Sequence, residues 1–245
     1  MTYCVALRVK AGLVMLADTR TNAGLDDISR FRKLFTYDVP GERVLGVMMS
    51  GNLSITQGVH SILSRAIRNS ADDPGVETLL NCDSMFRAAQ IVGEAMHAMQ
   101  ERYRKTIETH GASADASILV AGEFKGGEPR LFLIYGAGNF IEATSDTPYF
   151  QIGEHKYGKP ILDRIITPES SIDVCVKAVC LSMDSTLRSN LSVGMPLDLA
   201  VAERGKYRFR TRTRIEADDE RFAHISQGWS AALREGFEHL PNFAD

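Results

Sequence analysis

Apolar and polar residues alternate from the start of the chain. Tyr3, Val5, Leu7 and Val9 fall on one face of residues 2–9, and Thr2, Cys4, Ala6 and Arg8 on the other. A period of two predicts a β-strand. Chain ends are frayed and polar unless tied into structure, so a strand beginning here predicts a held terminus. Lys10-Ala11-Gly12 reads as a turn and residues 12–17 as the returning strand of a hairpin. That second strand is apolar on both faces, which predicts a central position covered on both sides. It gives way to the polar run Asp18-Thr19-Arg20-Thr21-Asn22-Ala23-Gly24. Loops at strand ends are where binding and catalytic groups concentrate.

Further along, the basic cluster within Ser29–Phe35 leads into another strand, and residues 43–49 form a buried strand closed by Ser50-Gly51-Asn52. Asn52 is placed to cap a helix running to Asn69. After the break at Asp72-Asp73-Pro74-Gly75, Leu79, Leu80, Met85, Ala88, Ile91, Val92, Ala95 and Met99 keep a 3.6-residue period, predicting one long helix over 76–105. Residues 116–124 and 129–135 read as a second hairpin, 139–143 as a short strand, and 157–165 and 172–187 as helices. The polar stretch 184–194 is expected to break the last of these. Strands at 195–202 and 207–215 and an amphipathic helix over 218–238 follow. Helices grouped between runs of hairpin strands argue against a doubly wound parallel sheet and for an α+β fold of antiparallel sheets with helices outside. No linker, repeat or low-complexity stretch divides the chain, so one domain is expected over 1–245.

Composition narrows the function classes. A net charge of −3 argues against a general binder of nucleic acid or of membrane surfaces. No apolar run approaches the ~20 residues that span a bilayer, and no charged segment followed by an apolar one marks a signal peptide, so a cytoplasmic protein is expected. Cys4, Cys82, Cys175 and Cys180 form no C-x-x-C pair and read as reduced, buried thiols. The six histidines are scattered; neither a metal site nor a cofactor is expected. Lys206, Arg208, Arg210, Arg212 and Arg214 recur at every second position, which on a strand places five cations on one face. Pairing with acidic groups, either the 216–220 run or a neighbouring subunit, is preferred over nucleic-acid contact, since no exposed aromatics are interleaved for stacking.

The first residues carry the candidate chemistry. Removal of Met1, expected before a small residue, leaves Thr2 with a hydroxyl nucleophile and an α-amine whose ordinary pKa is roughly 7.7–8.0. An N-terminal threonine hydrolase needs a lysine ammonium to favour the alkoxide, a carboxylate to hold that lysine, and a backbone N–H facing the oxyanion. The chain offers Lys33, Asp18 and the amide of Gly51. Each has an ordinary reading too: Thr2 as a β-branched strand residue, Asp18 as a turn cap, Lys33 as a solvated strand lysine, Gly51 as a turn before a helix. Hairpin topology links them, because Thr2 lies beside the end of the second strand, where Asp18 sits.

Thr2-Tyr3-Cys4-Val5, Ala17–Gly24, Phe31-Arg32-Lys33, Met49-Ser50-Gly51-Asn52, the run Asp184–Gly194 and Gly228-Trp229-Ser230 together resemble the proteasome β-subunit family, most closely its bacterial Anbu (ancestral β-subunit) group. The resemblance implies a four-layer αββα sandwich of the N-terminal-nucleophile hydrolases. It implies Thr2 as nucleophile with its α-amine as general base, Asp18 and Lys33 as the orienting and activating pair, Gly51 N–H as oxyanion donor, and Ser189 and Ser192 as polar partners of the amine. It also implies a homo-oligomeric ring or open spiral acting on peptides or unfolded protein; the sequence assigns no ATPase partner. Gly153-Glu154-His155 stands where the family usually has Gly-Ser-Gly, and Arg188-Ser189-Asn190 where it carries an Asp. An inactive assembly protein of the same fold, or an amidohydrolase acting on a small amide, are the competing expectations.

Overall fold

The computed structural model describes residues 2–22 and 28–242; Met1, residues 23–27 and residues 243–245 lie outside the described part. Its elements in chain order are β1 (Tyr3–Val9), β2 (Gly12–Asp18), β3 (Arg20–Asn22), β4 (Ile28–Arg30), β5 (Leu34–Val39), β6 (Arg43–Gly51), α1 (Leu53–Asn69), α2 (Met85–Thr109), β7 (Ala116–Phe124), β8 (Arg130–Ile134), β9 (Phe140–Glu142), β10 (Tyr149–Gly153), α3 (Lys159–Ile165), α4 (Ile172–Ser189), β11 (Leu197–Glu203), β12 (Phe209–Ile215) and α5 (Glu220–Glu238). Two five-stranded sheets, ordered β10-β1-β2-β11-β12 and β5-β6-β7-β8-β9, are antiparallel throughout.

The strands' alternation builds the layers. The β1 face carrying Cys4 and Ala6, the Met15 and Ala17 side of β2, and Met48, Leu119 and Ala121 from the second sheet form the core between the sheets. The opposite face, with Tyr3, Val5, Leu7, Val14 and Leu16, packs on α3 and α4 through Leu162, Cys175, Val179 and Met183. Val47, Ile118 and Val120 of the second sheet pack on α1 and α2 through Ile55, Val59, Val92 and Met96. The result is the expected four-layer αββα sandwich, each sheet burying one face on its partner sheet and one on helices. The four cysteines are free and buried.

Three expectations are corrected. The helix expected from residue 76 begins at Met85. Asn81 Oδ1 accepts from Thr78 N and its Nδ2 donates to the Val76 carbonyl, so side chains hold 76–81 in turns, and Ser84 then caps α2 through Arg87 N. The polar run from Asp184 does not break α4, which continues to Ser189. Arg188 pairs with Asp184 one turn back at 3.0 Å and Thr186 Oγ1 donates to the Ser182 carbonyl, leaving Asn190 as the cap. The cations of β12 do not share one face: Ala202 opposes Phe209 while Val201 opposes Thr211, so a bulge at Arg210 reverses the alternation. Their carboxylate partners are Asp38 for Arg212, Asp198 for Arg214, and Glu203 and Asp173 for Arg210. None belongs to the 216–220 run.

Candidate active site

The site is assembled where β1, β2, β6 and β10 end together. Antiparallel pairing puts Cys4 opposite Ala17 and Tyr3 opposite Gly153, so Thr2 lies between the end of β2 and the end of β10. Gly153 has φ +82°, and a Cβ there would meet the Thr2 carbonyl oxygen at 1.9 Å. Only glycine permits that approach. It lets Glu154 N–H donate to the Thr2 carbonyl at 2.7 Å. Thr2 is 9% exposed and opens on one side into a cleft of about 1080 Å³ that Lys33, Met49 and Gly51 also line.

Beneath Thr2 lies a buried ion pair. Lys33 Nζ donates to Asp18 Oδ1 at 2.7 Å and to the Arg20 carbonyl at 2.6 Å. Asp18 is fully buried and Lys33 is 6% exposed. The Asp18 carboxylate also accepts from Tyr3 N–H at 3.0 Å and from Gly194 N–H at 3.3 Å. Burial pushes its carboxyl above the ordinary value, against the pull of the Lys33 ammonium and of those two N–H groups. The same carboxylate therefore orients Lys33 and anchors the residue following Thr2.

Gly51 closes β6 at φ +106°, where a Cβ would strike the Asp115 carbonyl oxygen at 2.1 Å. Asn52 N–H bonds that carbonyl, and Met49 N–H bonds the Lys33 carbonyl on the opposite side of the strand. Alternation turns the Gly51 N–H to the Met49 side. Since β5 starts only at Leu34, that N–H lies past the paired length and faces the cleft. Farther along the wall, His60 stacks on Phe35 with centroids 3.8 Å apart, and burial holds its imidazole below the ordinary value.

Thr2, Lys33 and Gly51 thus line one cleft, with Asp18 buried behind Lys33. Ser189 is exposed on the last turn of α4, and Ser192 is half-buried with its N–H on Asn190 Oδ1 at 2.9 Å. Their loop reaches the Thr2 end of β1 through other groups: Asn190 Nδ2 donates to Glu154 Oε2 at 3.0 Å, and Gly194 donates to Asp18. Sequence reasoning missed the roles of Gly194, the Tyr3 N–H and the Arg20 carbonyl, which act through the backbone and leave no residue-type signal. Gly153 had a signal, a glycine ending a strand.

A family model described as "Proteasome subunit" matches residues 2–202. The chain is similar to the solved structure of an Anbu (Gly-1) mutant from Hyphomicrobium sp. strain MC1, at 46% identity over 100% of both chains with a TM-score of 0.89. Anbu (ancestral β-subunit) from Yersinia bercovieri is 44% identical over 100% of this chain and 99% of that one, with a TM-score of 0.91. The helical assembly of the Anbu complex from Pseudomonas aeruginosa contains a chain 43% identical over 98% of each, also with a TM-score of 0.91. No curated protein matches the chain.

Proposed function

Because this chain belongs to the proteasome subunit family, and within it to the Anbu group, we propose that residues 1–245 act as one threonine-type endopeptidase domain in a self-compartmentalising homo-oligomer. The observation that carries this reading is the buried Lys33–Asp18 pair under Thr2 at the mouth of a cleft large enough for a peptide side chain.

In this reading Met1 is removed and the Thr2 hydroxyl attacks a peptide carbonyl. The proton passes to the Thr2 α-amine, and the Lys33 ammonium stabilises the developing alkoxide. Gly51 N–H donates to the oxyanion of the tetrahedral intermediate. Collapse expels the amine product, which takes the proton back from the Thr2 ammonium. Water then hydrolyses the Thr2 ester by the same steps and restores the free hydroxyl. Asp18 holds Lys33 in place, and the loop after α4 braces the Thr2 end of β1 through Asn190 and Gly194 rather than through Ser189 or Ser192.

Self-association is supported by the helical assembly formed by the Pseudomonas aeruginosa relative. Confinement suits such a nucleophile, because an unshielded one would meet every folded neighbour. Among the described residues no helix is long and apolar enough to cross a membrane. The test is hydrolysis of a panel of fluorogenic peptides and small amides by the assembled protein. Peptide turnover that vanishes in Thr2→Ala supports the reading. Turnover undiminished in that variant refutes it; turnover confined to small amides moves the chain to the amidohydrolases, and none at all to the non-catalytic assembly proteins.

A further inference from the structure

The cleft beside Thr2 changes character along its length. Phe31, Met49 and Leu53, close in the chain to Lys33 and Gly51, give it apolar walls, while Gln57 and His60 line it farther down α1. Leu53, Gln57, His60 and Ser64 follow one another at spacings of four, three and four residues, so they run down one side of that helix. About 10 Å of helix rise separates Leu53 from His60. Helical side chains lean toward the N-terminus, which brings the His60 imidazole back toward Gly51.

The imidazole is held in a defined place. Its ring stacks on Phe35 with centroids 3.8 Å apart and planes 26° from parallel. Ser64 Oγ lies 3.3 Å from Nε2, so Nδ1 is the ring nitrogen without a partner among the described residues. Thr56 Oγ1, by contrast, already donates to the Asn52 and Leu53 carbonyls. Burial holds the imidazole below its ordinary value, which keeps it neutral at neutral pH. A hydroxyl both donates and accepts, so it can meet a neutral imidazole in either tautomer. The rim gives no preference for a charged group: Arg32 and Asp115 oppose each other there, and Asp18 takes up the Lys33 charge.

In the reading above, the attacked carbonyl sits between the Thr2 hydroxyl and the Gly51 N–H. The residue that carries this carbonyl therefore stands at the start of α1, and its side chain runs along the side of Leu53, Gln57 and His60. Aromatic walls at Phe31 and Phe35 favour an aromatic ring, and the Met49 sulfur adds to them. Phenylalanine fills those walls and leaves His60 Nδ1 unpaired. Tyrosine fills them equally and carries a hydroxyl to the imidazole. Burying that hydroxyl without a partner costs free energy, so an apolar pocket alone would prefer phenylalanine. A preference for tyrosine is thus diagnostic of a polar partner at the far end.

We propose that this cleft selects tyrosine as the residue on the acyl side of the cleaved bond, with His60 as the specificity-determining residue that meets its hydroxyl. The inference rests on the peptidase reading and narrows its substrates to chains that present a tyrosine before the cleaved bond.

The experiment uses the assembled full-length protein and peptide epoxyketones that differ only in the side chain beside the reactive group: tyrosine, phenylalanine or 4-methylphenylalanine. Intact mass and peptide mapping follow the rate of adduct formation on Thr2. The tyrosine probe should react about ten-fold faster than the phenylalanine probe, the effect of one neutral hydrogen bond at a half-buried site. The 4-methyl probe, similar in size to tyrosine but without the hydroxyl, should follow phenylalanine. In His60→Phe, which keeps a ring against Phe35, the advantage of tyrosine should vanish, and in His60→Gln part of it should return. Equal rates for the tyrosine and phenylalanine probes on the wild-type protein overturn the inference and leave the peptidase reading standing. So does an undiminished tyrosine advantage in His60→Phe. A 4-methyl probe as fast as tyrosine overturns it as well, and that comparison needs no variant to fold. No adduct on Thr2 with any probe overturns the peptidase reading and this inference together.

Discussion

Two groups of charged residues, one at the end of β2 and one on β12, look alike on paper and behave differently in the fold. At the Thr2 end, Asp18 is sealed from water and Lys33 shows only a small part of itself to the cleft, and backbone groups of Tyr3, Gly194 and Arg20 complete their hydrogen bonds. On the edge strand β12, Arg210 and Arg212 reach Glu203, Asp173 and Asp38 from solvent-exposed positions. Desolvating two charges costs several kcal/mol per ion before any attraction is counted. A surface pair costs little and contributes little. The convergence of backbone donors and acceptors, rather than the presence of opposite charges, separates a pair built for chemistry from one that tidies a surface.

The largest effect should follow from Lys33→Met. Removing one partner of a buried pair destabilises a protein by about 3–5 kcal/mol, readable as a lower urea midpoint. The pH dependence has a definite sign. Burial already raises the Asp18 carboxyl in the intact protein, and without Lys33 a group that lowers it is gone. A carboxyl that binds its proton more tightly folded than unfolded loses stability as pH rises. The deficit of Lys33→Met relative to wild type should therefore shrink as pH falls from neutrality toward the ordinary carboxylate range and level off there, because Asp18 is raised in both folded proteins and further in the variant. A deficit independent of pH would remove the buried charge from the explanation.

Smaller effects should mark the other half of the contrast. Arg214 meets both oxygens of the buried Asp198, at 2.8 and 3.0 Å, whereas Arg212 reaches the Asp38 carboxylate with one nitrogen. Double-mutant cycles should give a coupling of roughly 1 kcal/mol for Arg214–Asp198 and roughly 0.2–0.5 for Arg212–Asp38. High salt should weaken the second more than the first. Equal couplings would mean that geometry and burial do not separate these pairs.

The contrast also explains which parts of the molecule could be read in advance. The hairpin of residues 2–18 was legible because alternation and a glycine turn are local, and the hairpin alone brings Thr2 toward Asp18. The helix over 76–84 was misread because Thr78 and Asn81 satisfy the backbone with side chains, a competition that apolar periodicity does not record. The single face of arginines on β12 was lost to one extra residue at Arg210, which no residue type there announces. Gly194 and the Arg20 carbonyl entered the site through main-chain atoms that every residue carries.

The central claim is that Thr2 becomes a terminal nucleophile activated by the Lys33–Asp18 pair. Intact mass of the protein purified from its native host, followed by peptide mapping after treatment with an epoxyketone probe, tests it most directly. The account predicts a chain shortened by one methionine and a probe adduct on Thr2 that is absent from Thr2→Ala and strongly reduced in Lys33→Met. A retained Met1, or an adduct that forms elsewhere while Thr2 stays unmodified, would contradict it.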